Sequence, residues 1–176
     1  MKKMSLPENF NINDKLENLA KRENELYSAI IELSKKEKSK SKIGLSQHEI
    51  FNEYALIHEN YAILSEKNIE ALKRGLFIQW YCYVEPDYLT GIRNLNKQNE
   101  NLILSNLKIV FCSKNIDKEL LWMTSFYIQD NYLFDLYIDT FNYKKYVPKN
   151  ESKPSKLLEY EKRGQMGIFW NSIINR

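Results

Sequence analysis

Two groups of carboxylates are the residues of this chain whose type and spacing could do chemistry. Glu85 follows the aromatic run Trp80, Tyr81 and Tyr83 and precedes Pro86. A carboxyl group in an apolar setting holds its proton to higher pH, which is how a general acid is made. The competing reading is a helix-end carboxylate bonded to the next turn or to Arg93. The second group is Asn131, Asp135, Asp139 and Asn142, at spacings of four, four and three. That spacing draws one polar stripe along a helix. Two carboxylates at i and i+4 could ligate a divalent cation. No further acid or histidine is placed to complete such a site, so the stripe reads as a solvated face or a partner surface.

Other reactive groups are sparse and scattered. His48 and His58 lie ten residues apart, on different sectors of a helix, and no H-E-x-x-H or paired-cysteine spacing points to zinc. Both read as surface or partly buried structural histidines. Cys82 and Cys112 sit on separate helices and read as buried free thiols rather than nucleophiles. With five glycines in all there is little material for phosphate-cradling loops, and no G-x-x-x-x-G-K-[ST], G-x-G-x-x-G or G-x-S-x-G occurs. The expectation is a chain without catalytic residues, metal or cofactor.

Charge narrows the partners. A net charge of +3 does not mark a nucleic-acid binder. The lysine-rich segments 35–42 and 144–156 could still converge into a phosphate track. No aromatic or arginine interrupts the first run to read a base, and lysines also suit the end of a helix, where cations oppose the macrodipole. Residues 115–141 carry five acids against one lysine, an acidic segment in a mildly basic protein, and such a patch could steer a basic partner. Within it Asp130, Asp135 and Asp139 alternate with Tyr132 and Tyr137, and tyrosine gives contact area at little rotamer cost. The abundance of tyrosine elsewhere follows from a general bias toward Asn, Lys, Ile and Tyr, which share AT-rich codons.

The elements that must position these residues read as helices. Leu16, Leu19, Glu23, Leu26, Ile30 and Leu33 alternate spacings of three and four, one helical face with a single charge on it. Asp14 with Glu17 reads as its capping box. A second box, Ser46 with Glu49, opens a helix carrying Ile50, Tyr54, Ile57, Tyr61 and Leu64. The segment 67–84 is apolar nearly all round in its second half and is the expected central helix. Within it Glu70 and Arg74, four apart, would support the helix by a few tenths of a kcal/mol. Glu85-Pro86 ends it, and residues 87–91 read as a turn. Further helices are expected from Asn96 to about Ser113, from Asp117, from Asp130 to about Tyr143, and from Ser155 onward. Segment 124–143 would also suit strands, but the chain has no Asn-Gly or Asp-Gly hairpin signal. The sum is an all-α protein: a single compact domain of six or seven helices in an irregular bundle. Residues 1–12 read as a flexible N-terminus, and 34–45 and 147–155 as loops. Leu76, Phe77, Trp80, Leu121, Phe126 and Ile138 are the expected core.

The stretch Ala71-Leu72-Lys73-Arg74-Gly75-Leu76-Phe77-Ile78-Gln79-Trp80-Tyr81, then Glu85-Pro86 and Leu89-Thr90-Gly91-Ile92, resembles a pattern in small uncharacterised bacterial proteins. Glu119-Leu120-Leu121-Trp122-Met123 adds to it. Such proteins look all-α, and some are similar to immunity proteins of toxin–immunity systems. The resemblance spans roughly a third of the chain, carries no catalytic residue, and implies a helical fold first and an immunity-type function second.

The function expected from these readings is a non-catalytic protein-interaction domain, an immunity or inhibitor protein that neutralises a partner by occlusion. Its contact residues would be Asp130, Tyr132, Asp135, Tyr137 and Asp139, and its partner a basic protein such as a toxin or nuclease. A nucleic-acid-binding module using the two lysine-rich segments is the alternative. No run approaches a membrane-spanning length, and no signal-peptide pattern opens the chain, so the expected compartment is the cytoplasm.

Overall fold

The structure, a computed structural model, describes residues 11–36, 40–113, 116–130, 153–154 and 156–175. Its described residues are helical with short connections and contain no strand. The helices are α1 (Ile12–Lys36), α2 (Gln47–Leu64), α3 (Ile69–Val84), the single turn α4 (Asp87–Thr90), α5 (Lys97–Cys112) and α6 (Lys118–Tyr127). A 3₁₀ turn, Ile128–Asp130, extends α6. A second, Tyr160–Arg163, leads into α7 (Gly164–Ile174).

Side-chain caps set most of the starts. The capping box at α2 is complete: Glu49 N donates to Ser46 Oγ at 3.4 Å, and Ser46 N donates to Glu49 Oε2 at 2.7 Å. Asn68, Asn96 and Asp117 cap α3, α5 and α6 through their side-chain oxygens. Such caps occupy donors the helix itself leaves open. At α1 the expectation is corrected. Asn11, not Asp14, supplies the acceptor, to Asn13 N at 3.0 Å, and the helix begins at Ile12 and runs through Lys36 into the segment read as loop. The last helix also starts later than Ser155. Glu159 and Gly164 both have positive φ, 47° and 60°, so the regular helix cannot begin before Gly164.

Helix α3 is the centre. It packs on α2, α4, α5 and α7, and every residue from Ala71 to Trp80 is buried. Gly75 permits the closest approach: a Cβ there would lie 2.5 Å from Ile103 Cδ1 of α5 and 3.3 Å from Tyr61 Cβ of α2. At one end of α3, Phe77, Trp80 and Tyr81 meet Phe126, Tyr127, Phe169 and Trp170 in a shared aromatic cluster. Of the expected core, Leu76, Phe77 and Trp80 are buried. Leu121 and Phe126 pack against the core half-buried, and Ile138 lies outside the described residues. Glu70 and Arg74 do pair, at 2.8 Å, and Arg74 is 4% exposed, which gives the pair a larger role than support of one helix.

Candidate functional site

The polar residues that α1 and α3 carry inward meet the start of α7 in one buried constellation. Its first half is an ion-pair cluster. Arg163 grips Glu70 with both ends of its guanidinium, Nε to Oε1 at 2.7 Å and Nη2 to Oε2 at 2.6 Å, and reaches Glu119 Oε1 through Nη1 at 2.5 Å. Arg74 donates to Glu70 Oε1 at 2.8 Å and to the carbonyls of Leu16 and Lys162. Lys73 closes the chain on Glu119 Oε2 at 2.7 Å and Asp117 Oδ1 at 2.8 Å. Three bases face three acids. Burial alone would lower the Arg163 pKa, but the hydrogen bonds and charges of Glu70 and Glu119 more than reverse that. Burial would raise Glu70, and Arg163 and Arg74 hold it below the usual carboxylate range. Bidentate pairs of this kind are directional as well as strong, so the cluster fixes how α1, α3, α6 and the 3₁₀ turn before α7 meet.

The second half is Glu23, the one charge on the apolar stripe of α1, which is 1% exposed. Tyr61 Oη donates a short hydrogen bond to its Oε1, and Gln165 N donates to Oε2 at 3.1 Å. Gly164 lies so close that a Cβ there would stand 2.7 Å from the carboxylate carbon. Tyr54 Oη donates to the Glu23 carbonyl at 3.0 Å. Arg74 acts on Glu23 only at a distance, because its donors are engaged elsewhere. Burial therefore dominates and lifts the Glu23 carboxyl to about 7, against the lowering effects of Tyr61, Arg74 and Gln165. The same burial and the neighbouring Glu23 charge push the Tyr61 and Tyr54 phenols well above their ordinary value.

A cleft of about 420 Å³ opens over the ion pairs, walled by Asn13, Leu16, Glu17, Glu70, Arg74, Glu119, Leu158, Glu159, Lys162 and Arg163. Glu23 is not in its wall, so the carboxyl with the neutral-range pKa is sealed from it. A larger groove of about 970 Å³ follows α1 from Glu17 to Lys35, roughly 27 Å at 1.5 Å per residue, and is closed by Lys42, Ile43, Glu161 and Lys162. Ala20, Ala29 and Ile31 give it an apolar floor, four glutamates and four lysines line it, and Asn24 places there a buried Oδ1 with no hydrogen-bond partner.

The residues singled out by sequence fall elsewhere. Glu85 caps the C-terminal end of α3 and is exposed. Its suggested partner Arg93 pairs with Asp87 at 3.0 Å instead. Asp130 ends the 3₁₀ turn after α6, and its side chain lies outside the described residues, as do Tyr132, Asp135, Tyr137, Asp139 and lysines 144–149. His48 is exposed, whereas His58 is wholly buried, with Nε2 3.5 Å from Gln79 Oε1 and no partner at Nδ1. Burial drops its pKa to about 4, against Gln79 and Glu100. Cys82 is half-buried, and burial raises its thiol to about 11. Cys112, expected buried, is exposed at the end of α5. Among the described residues no group of histidine, cysteine and acid side chains is placed to hold a metal, and no described helix is long and apolar enough to cross a membrane.

No protein-family model, curated protein or solved structure matches the chain. Its chemistry has to be read from its own side chains. Glu23 announced itself in sequence as a charge on an apolar face. Arg163, Glu119 and Gln165 carried no comparable signal, since they join the constellation only through tertiary packing.

Glu23 and His58 make a measurable pair. The folded protein holds the Glu23 proton between pH 4.5 and about 7 while the unfolded chain releases it, so this residue's contribution to stability falls as pH rises through that window. His58 stays neutral in the fold while the unfolded chain takes up a proton below 6.5, so its contribution falls as pH drops toward about 4. The two slopes oppose. Wild-type stability from pH 4.5 to 6.5 is expected to be nearly flat. Glu23→Gln should tilt it upward with pH and His58→Gln downward, each by roughly 2–3 kcal/mol across the window. Urea midpoints at five pH values check this, and parallel curves for all three proteins refute it.

Proposed function

We propose that this chain is a non-catalytic protein-interaction domain, an immunity or inhibitor protein that neutralises a partner by covering it. One observation carries the reading: the α1 groove is a long trough with an apolar floor and exposed charges of both signs on its rim, whereas the ion-pair cluster is closed on itself. Arg163, Arg74, Lys73, Glu70, Glu119 and Asp117 direct their donors and acceptors at one another or at backbone carbonyls, which sets shape. The groove combines an apolar floor, charges of both signs and the unpartnered Asn24 Oδ1. Mixed charges along an apolar trough give register to a docked protein segment more readily than they give affinity for a phosphate backbone. We also propose Asp130, Tyr132, Asp135, Tyr137 and Asp139 as contact residues for a basic partner such as a toxin or nuclease, and the cytoplasm as the setting.

The test is affinity capture from the native host, with mass spectrometry and three forms of the bait. A stoichiometric protein should be held by the wild type and be lost or weakened at least tenfold by Ser28→Arg, which puts a bulky charge into the groove from an exposed position. Asp135→Lys with Asp139→Lys should weaken it too, with circular dichroism unchanged. Capture indifferent to Ser28→Arg discards the groove. Capture indifferent to the double change discards the acidic segment. Recovery of nucleic acid, or of the bait alone at several salt concentrations, discards the reading.

A further inference from the structure

The groove along α1 is balanced in the number of its charges but not in how they are engaged. Each of its four carboxylates has a partner within the chain. Glu17 pairs with Lys162 at 3.5 Å, and Glu25 pairs at 2.9 Å with Arg22, which also holds Glu53 of α2. Glu32 accepts from the backbone N–H of Lys42 at 3.0 Å, and Glu161 accepts from the Tyr160 phenol. Of the groove's lysines, Lys162 alone is paired. Lys21, Lys35 and Lys42 are exposed in its wall, and their ammonium groups meet no acid among the described residues. The Glu32 bond draws residue 42 to the end of α1 where Lys35 stands one turn on, so these two lysines share one end of the groove. Lys21 stands near the other, about 21 Å away at 1.5 Å per residue.

Those open groups select the occupant. A basic segment would have to displace Lys162 and Arg22 from their carboxylates and would face three unpaired cations. A nucleic acid carries a phosphate at every step, so its backbone would meet Glu17, Glu25, Glu32 and Glu161 as well as the lysines. A peptide can set acids opposite the lysines and apolar side chains between them. Ala20, Ala29 and Ile31 form the floor, and Ile43, 45% exposed, adds apolar surface at the Lys42 end. A trough of this length along a helix suits an amphipathic helix of roughly eighteen residues. We infer that the α1 groove binds an acidic amphipathic helix of the protein partner, with carboxylates toward both of its ends. Their spacing is about fourteen residues, close to four turns, so they fall on one face. The inference rests on the interaction-domain reading and adds the chemistry of the segment that enters the groove. It leaves Asp135 and Asp139 to a basic surface elsewhere on the same partner.

The first probe is a helical peptide of alanine and leucine, about eighteen residues long, with glutamates about fourteen residues apart. The others are the same peptide with lysine for glutamate and a single-stranded oligothymidylate. Each is titrated into the full chain at low salt and followed by NMR at the Ser28 backbone amide and the Asn24 side-chain amide, both from the groove wall. The acidic peptide is expected to give saturable shifts, with the other two probes at least about tenfold weaker. Lys21→Gln, Lys35→Gln and Lys42→Gln together, all at exposed positions, should weaken the acidic peptide at least about tenfold with circular dichroism unchanged. They should weaken capture of the partner from the host as well. Ser28→Arg should also weaken both, because Ser28 lies midway between Lys21 and Lys35 and would set a charge against the apolar middle of the helix. No saturable shift with the acidic peptide, or equal affinity for the lysine peptide or the oligonucleotide, overturns the inference. Partner capture lost with Ser28→Arg but untouched by the triple change overturns the acidic helix while the interaction-domain reading stands. Acidic-peptide binding with no protein captured overturns that reading, and with it the partner as the source of the helix.

Discussion

Arg163→Met is expected to lower stability by about 2–3 kcal/mol. That is less than for a fully buried ion pair, because Glu70 and Glu119 are each 24% exposed and border the cleft. The side chain is 9% exposed and makes three charge-assisted hydrogen bonds, two to Glu70 and one to Glu119. Methionine keeps most of the volume, so the loss is electrostatic. Without the guanidinium, Glu70 retains Arg74 and Glu119 retains Lys73, but each carboxylate keeps an oxygen facing a vacated site. Adding Glu70→Met should restore part of the loss, because two apolar groups in place of a pair leave less unsatisfied than one. Residues that share a network couple by about 0.5–3 kcal/mol, and the double change measures that coupling. Urea denaturation of the four proteins is the measurement. A loss below 1 kcal/mol for Arg163→Met would mean that the pair is solvated and the cluster does not fix the helices.

Trp80→Ala is expected to cost about 3–5 kcal/mol, as for other fully buried tryptophans. Its indole is 4% exposed and lies within 5.0–6.0 Å of the rings of Phe77, Tyr81, Phe126, Tyr127 and Phe169. These come from α3, α6 and α7, so one truncation opens a cavity that three helices share. The indole Nε1 finds no acceptor there, and Trp80→Phe should therefore cost much less than Trp80→Ala. Equal losses would show that the fit of the whole indole, and not the apolar volume at this position, sets the cost.

The helices were legible where a cap and an apolar period agreed. Ser46, Asn96 and Asp117 each stand at an observed start, and the all-round apolar run after Leu76 marks the central helix because burial on every side leaves no polar face. Boundaries failed where local signals conflicted with the backbone. At α1 the Asp14–Glu17 box competed with Asn11 and lost. At α7 nothing in the composition tells that Glu159 takes positive φ and delays the helix. The site was half legible. A lone glutamate on an apolar stripe demands a partner, which pointed to Glu23. Glu70 and Arg74 at i, i+4 were legible as a pair but not as a buried one, because spacing says nothing of what the 3₁₀ turn before α7 brings over them. The groove was not legible at all, since it takes its walls from segments over a hundred residues apart.

Synthesis from the N-terminus also imposes an order on the Arg163 contacts. Glu70 and Glu119 are made 93 and 44 residues before the guanidinium that joins them, and Glu23 is made 142 residues before the Gln165 amide that it accepts. On the ribosome, α1 to α6 can form from local contacts while these carboxylates stay hydrated. The interior then has one basic group too few and a seat for α7 that is still wet. The final docking step expels that water and switches the charges from solvent to each other. Until residue 165 has emerged the nascent chain is a partly assembled bundle with an acidic opening, the form in which a chaperone or a protease would first meet it.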